Sequence, residues 1–375
     1  MRNLSDTIAR LSFFRGLDTN PMGNHPDRLS DMVGFGSNPG ALRARVYVPD
    51  DLPASAPLVV VLHGCTQSSA AYDHGSGWSA LADEQGFAVL YPEQQRANNG
   101  NLCFNWFVSE DIQRDGGEAL SIRQMVAGMI AAHDLDPARV FVTGLSAGGA
   151  MAAVMLATYP DVFASGAVIA GIPYGSATSM AGAFDRMRGS GAPGATQLGS
   201  LVRDASTHEG PWPTLSVWHG SADHTVDQAN AGLLIDQWRT LHDLPLEPTL
   251  VETIDGHPRR TWRDAEGRVV IEDFRIDRMG HGTPLDPEGA TGGGVSGPYM
   301  LDVGIFSTRH IAAFWGLGDA PARTVKSALP VSKTVKAKLV PLAKPVRASV
   351  LPKPPAVSAV AKVIDDALRS AGLLR

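Results

Sequence analysis

The segment Gly144-Leu145-Ser146-Ala147-Gly148 sets a serine between glycines two residues before and two after it. That spacing fits a tight strand-to-helix turn that lifts the hydroxyl clear of the backbone, because the glycines remove side chains that would collide. In a chain with 40 glycines among 375 residues the letters alone are a weak sign, and without chemistry they would mark a glycine-rich turn. The flanks strengthen the reading: Val140-Phe141-Val142-Thr143 is a buried-strand pattern, and Ala147-Gly148-Gly149-Ala150-Met151-Ala152-Ala153 leaves as a helix of small residues. A serine hydroxyl is a poor nucleophile at neutral pH. Ser146 therefore needs a base to take its proton and a carboxylate to orient that base.

In this kind of site the partners follow in the order serine, acid, histidine. Asp223, in His219-Gly220-Ser221-Ala222-Asp223 after a strand-like run, fits the acid; Asp227 is a weaker rival, inside what reads as the next helix. Downstream, His281 sits in the loop Met279-Gly280-His281-Gly282, whereas His310 falls on a helical stripe and His257 in an insertion. His281 is the expected base. Negative charge on the attacked carbonyl needs two backbone N–H donors. Ala147 supplies one by position, and the loop His63-Gly64-Cys65-Thr66-Gln67 the other, through Cys65. The Cys65 side chain itself reads as a small hydrophobe rather than a nucleophile, since no histidine is placed to serve it.

These residues must be carried by elements. Continuous apolar, β-branched runs at 58–62, 87–91, 139–143, 165–170 and 214–218 read as strands buried on both faces. Helical patterns lie between them at 78–86, 122–130 and 147–158. Strands alternating with helices predict a mostly parallel sheet covered on both sides by right-handed crossovers, with a hairpin around Ser37-Asn38-Pro39-Gly40 before it. Two intervals, 171–213 and 243–278, exceed ordinary connections and are expected to form binding loops or a cap, the second with a turn at Asp264-Ala265-Glu266-Gly267. Leu4, Ile8 and Leu11 suggest an N-terminal helix within residues 1–30. Residues 31–318 then form the main domain.

Residues 319–375 differ in kind: seven prolines, no aromatic residue and a charge of +8, against −14 for the rest of the chain. They read as a basic, flexible tail with a short terminal helix along Val360, Ile364, Leu368 and Leu374. With 44% hydrophobic and 19% charged residues the chain as a whole should fold. The acidic body argues against nucleic acid as the main partner, and no apolar stretch is long enough to span a membrane. Asp6, Arg10 and Arg15 interrupt any apolar export signal, so the expectation from the residues is cytoplasmic. No Cys/His spacing suggests a metal and no glycine-rich loop cradles a phosphate, so no cofactor is expected.

Five motifs in order resemble the polyhydroxybutyrate depolymerase family of α/β-hydrolase esterases: His63-Gly64-Cys65-Thr66-Gln67, Asn105-Trp106-Phe107, Gly144 to Met151, Gly171-Ile172-Pro173-Tyr174-Gly175 and His219 to Asp223. The resemblance covers residues 43–317. It implies an α/β-hydrolase fold, a Ser146–His281–Asp223 triad and hydrolysis of a polyester, with feruloyl or acetylxylan esters as the alternative substrates. It also implies that Trp106, Asn105, Gln67 and Tyr174 face substrate, although Trp106 and Tyr174 could equally be core aromatics, and that Cys65 and Cys103 pair as a disulfide, where a reducing cytosol would keep them thiols. A polymer-binding protein without catalysis is the contrasting expectation. One departure stands out: His281-Gly282-Thr283-Pro284-Leu285 lacks the aromatic residue that many members place after the histidine.

Overall fold

A computed structural model describes residues 27–318; the N-terminal helix and the tail expected above lie outside the described residues. The elements in order are β1 (Ser30–Met32), β2 (Arg43–Tyr47), β3 (Leu58–Leu62), α1 (Ser69–Ser76), α2 (Trp78–Gln85), β4 (Ala88–Glu93), α3 (Ser109–Ile112), α4 (Gly117–His133), β5 (Val140–Leu145), α5 (Ala147–Thr158) and β6 (Ser165–Ile169). Then come α6 (Met180–Met187), α7 (Ala195–Arg203), β7 (Thr214–Gly220), α8 (Ala229–Arg239), β8 (Leu250–Ile254), β9 (His257–Arg263), β10 (Val269–Ile276), β11 (Thr283–Leu285), β12 (Met300–Asp302) and α9 (Ser307–Phe314).

Ten strands among the described residues form one sheet in the order β1-β2-β4-β3-β5-β6-β7-β10-β9-β8. The central six, β4 to β10 in that order, are parallel, and both margins are antiparallel. The core explains why the strand runs show no alternation. On β3, Leu58, Val60 and Leu62 enter the apolar layer on one side of the sheet with Met151 and Trp238, while Val59 and Val61 enter the other with Tyr72 and Trp78. Both faces are dry, so every position is apolar. Burying each such side chain contributes roughly 1.5–3 kcal/mol.

The expected hairpin forms as β1 against β2, with Ser30 opposite Val46. Gly86 ends α2 in the left-handed conformation, its N–H bonded to the Ala82 carbonyl. The interval 171–213 carries two helices, α6 and α7. The interval 243–278 is a correction: it is neither a binding loop nor a cap. β9 instead pairs antiparallel with β10 and β8 antiparallel with β9, extending the sheet, and the Asp264–Gly267 turn closes the β9–β10 hairpin with bonds of 3.0 Å in both Gly267 N–H to Asp264 O and Asp264 N–H to Arg268 O. Length alone could not distinguish an excursion from added strands, because charged residues of β9 pair across the sheet: Arg259 meets Glu252 and Glu272, and Arg260 meets Asp273.

Candidate active site

Parallel strands end at one edge of the sheet, and β5, β7 and β10 deliver Ser146, Asp223 and His281 to that same carboxyl edge. Ser146 stands at φ 58°, ψ −117°, a conformation that L residues adopt only under strain. Its N–H donates to the Ile169 carbonyl at the end of β6 (2.9 Å), which pins the turn. The flanking glycines are sterically required. A Cβ on Gly144 would lie 2.4 Å from the Gly148 backbone, and one on Gly148 would lie 2.3 Å from the Leu62 carbonyl.

His281 Nδ1 donates to Asp223 Oδ2 at 2.7 Å. The other carboxylate oxygen accepts from the N–H groups of Thr225 (2.8 Å) and Val226 (2.9 Å). His219, fully buried, adds its Nε2 at 3.4 Å while donating to the Val226 carbonyl at 2.8 Å. Burial by itself would raise the Asp223 carboxyl, but the bonds from His219, His281 and Val226 overcome it and hold the group far below the usual carboxylate range. An ionised Asp223 can only accept, so His281 carries its proton on Nδ1 and leaves Nε2 free to take another. The two loops are tied together: Ala222 N–H bonds to the Met279 carbonyl (3.0 Å), and a Cβ on Gly220 would come within 2.2 Å of that same oxygen.

Ala147 opens α5, where the first N–H groups have no partner within the helix. Cys65 lies in the loop after β3 and forms a disulfide with Cys103. His63 governs this loop, a role that sequence reasoning missed. Its Nε2 accepts from the Gln94 N–H (3.1 Å), so its Nδ1 must be the protonated nitrogen, and it donates to the Gly64 carbonyl at 2.8 Å. That carbonyl shares a peptide plane with the Cys65 N–H, so His63 sets the direction of the donor. Burial pulls the His63 pKa down and keeps the ring neutral.

The four residues expected against substrate separate. Trp106 packs with Ala147, Ala150, Ile172, Ala177, Ala183 and Val226 in an apolar cluster beside the serine. Tyr174 is half-buried against the larger core instead, its backbone held by Gln237. Gln67 turns its Oε1 to the Gly64 N–H (2.8 Å), which braces the loop. Asn105 is engaged at both ends, donating to Asp111 (3.0 Å) and accepting from Asn99 (2.9 Å). The rival acid Asp227 accepts from the Ala229 N–H (2.8 Å) at the start of α8, and His310 pairs with Asp255 (2.8 Å) beside Trp218 and Phe274. Neither belongs to the site.

A ring with its plane at 82° to His281 and its centre 6.1 Å away belongs to Tyr299, just before β12. No motif signalled it, because it lies 18 residues beyond the histidine.

This sheet, with its strained serine turn and Asp–His pair at one edge, is that of an α/β-hydrolase. The solved acetyl xylan esterase from Aspergillus awamori superposes with a TM-score of 0.66 at 24% identity, covering 77% of this chain and 99% of that one. The family model described as esterase PHB depolymerase matches residues 43–246, and the chain belongs to that family. It is similar to poly(3-hydroxyalkanoate) depolymerase C of Paucimonas lemoignei, 49% identical over 295 residues, 77% of this chain and 70% of the relative. It is also similar to acetylxylan esterase of Coprinopsis cinerea, 32% identical over 271 residues, 68% of this chain and 70% of the relative. The protein is a carboxylic ester hydrolase. No helix among the described residues is long and apolar enough to cross a membrane.

Proposed function

We propose that the chain hydrolyses polyhydroxyalkanoate esters through an acyl-enzyme on Ser146. The observation that carries this is the 2.7 Å bond from His281 to Asp223 at the sheet edge that also bears the serine turn. Ser146 Oγ attacks the ester carbonyl as His281 Nε2 takes its proton. The N–H groups of Ala147 and Cys65 receive the developing oxyanion. His281 then returns the proton to the departing alcohol, and Asp223 stabilises the imidazolium in between. Water repeats the sequence on the acyl-enzyme: its proton passes to His281, its oxygen to the acyl carbon, and Ser146 regains its hydrogen as the acid leaves. No cofactor takes part.

Likeness to a polyhydroxyalkanoate depolymerase at 49% identity supports the polyester. So does the insertion beside the site, where Met180 and Phe184, one turn apart on α6, are 49% and 48% exposed and offer an apolar surface to a water-insoluble substrate. The acetylxylan esterase likeness supports a carbohydrate ester as the second reading. The two separate on a panel of hydroxybutyrate oligomers, acetylated xylan and feruloyl sugars. We expect the highest kcat/KM on the oligomers; a higher value on either carbohydrate ester would overturn the polyester assignment and leave the chemistry standing.

A further inference from the structure

Tyr299 occupies a position that tyrosine ordinarily avoids. It follows Pro298 in a turn closed by the Met300 N–H to the Gly297 carbonyl (3.0 Å) and its reciprocal bond (3.0 Å), with φ at +62°. Proline then a left-handed residue is the pattern of a tight turn whose second central place normally goes to glycine or asparagine. A bulky side chain there costs backbone strain that persists only where the surroundings enforce it. The surroundings do. The parallel pairing of β11 with β12 sets Thr283 opposite Met300, and the Tyr299 carbonyl accepts the Thr283 N–H at 2.8 Å. Gly282 lies so close that a Cβ would sit 2.7 Å from that carbonyl oxygen. The strained turn is thus locked directly to the residues that follow His281.

The consequence is an aromatic ring held edge to face with the His281 imidazole and left half-buried. In the proposed reaction His281 hands its proton to the departing alcohol, so a group packed on this imidazole borders the alcohol side of the ester. We infer that Tyr299 is a specificity-determining residue that presents an apolar ring to the leaving-group half of the substrate. The inference rests on the acyl-enzyme reading above. Its hydroxyl is not required; the ring is.

The test uses the full-length chain and esters sharing one acyl group, butyrate, with methyl, benzyl and 3-hydroxybutyrate-type alcohols. Tyr299→Gly accepts the positive φ without strain, so it removes the ring and keeps the turn. We expect the ratio of kcat/KM for the benzyl and hydroxybutyrate-type esters over the methyl ester to fall about fivefold to tenfold in Tyr299→Gly. Tyr299→Phe should keep the wild-type ratio. An unchanged ratio in Tyr299→Gly overturns the inference, as does an equal loss on all three esters, which would mean that the ring only props the histidine loop. A loss in Tyr299→Phe matching that in Tyr299→Gly also overturns it. Failure of the acyl-enzyme reading shows separately, as absence of Ser146 labelling by a fluorophosphonate in the wild-type protein.

Discussion

At Asp223 two histidines and two backbone N–H groups converge on one buried carboxylate, and this fixes which nitrogen of His281 is protonated. Asp223→Asn keeps an oxygen for the Thr225 and Val226 N–H groups but offers His281 an amide donor, which favours the wrong tautomer. Turnover of a soluble ester should fall about 10⁴-fold with the fold retained, a loss of the size seen when such a carboxylate is amidated elsewhere; retention within tenfold would remove Asp223 from the site. At this scale much was legible, since Ser146, Asp223 and His281 each lie in a short glycine-bearing motif after a strand. His63 and His219 were not read as functional, although His219 stands in the Asp223 motif and His63 in the Cys65 motif. Their roles depend on ring nitrogens meeting backbone groups: the Gly64 and Val226 carbonyls nearby in the chain, and the Gln94 N–H on a separate segment, none of which the residue types alone reveal.

Among the elements, the Asp223 and His281 loops are held together in part by close backbone approach. Gly220 ends β7 against the Met279 carbonyl that supports the His281 loop. Gly220→Ala should cost about 1–3 kcal/mol of stability by overpacking and reduce kcat by a larger factor than KM changes, because the displaced backbone carries the proposed base. Wild-type kcat in a folded Gly220→Ala variant would contradict this. Glu118, in the first turn of α4, is fully buried and accepts from Asn105 N–H (2.9 Å), Gln94 (2.6 Å) and Asn98 (3.2 Å) behind the Trp106 loop. Burial pushes its carboxyl up to about 8 against those three donors. The folded chain keeps this proton until about pH 8, whereas the unfolded chain releases it near 4.5. Glu118 therefore stabilises the fold most below about pH 4.5, and its contribution is lost as pH rises to about 8. Denaturant midpoints measured from pH 5 to 9 should show this decline in the wild type and a flatter profile in Glu118→Gln; parallel profiles would contradict it. The parallel strands were legible because both faces are apolar. β8 and β9 were not, since their cross-strand ion pairs look like loop composition until the partners are known.

For the whole molecule, every proposed catalytic residue lies between Cys65 and His281, while the +8 charge lies beyond residue 318. Ending the chain after Gly318 should leave hydrolysis of a small soluble ester within about twofold, because exposed lysine–carboxylate pairs contribute only about 0–1 kcal/mol each. Attack on insoluble polymer should fall further than that. A shortened chain that loses soluble-ester activity or does not fold would place the tail within the domain. Tyr299 marks the limit of legibility here: its nearness to His281 arises from β11 pairing with β12, two three-residue strands too short to leave a periodic pattern. The central claim is that one serine of the intact chain becomes acylated. Intact mass spectrometry of the full-length protein after treatment with a fluorophosphonate tests it, followed by peptide mapping. The account predicts one adduct per chain, on Ser146, lost in Ser146→Ala together with three to six orders of magnitude in ester turnover, on the order of losses for such nucleophiles. An adduct on another serine, or a Ser146→Ala protein that keeps more than about a tenth of wild-type hydrolysis, would contradict it.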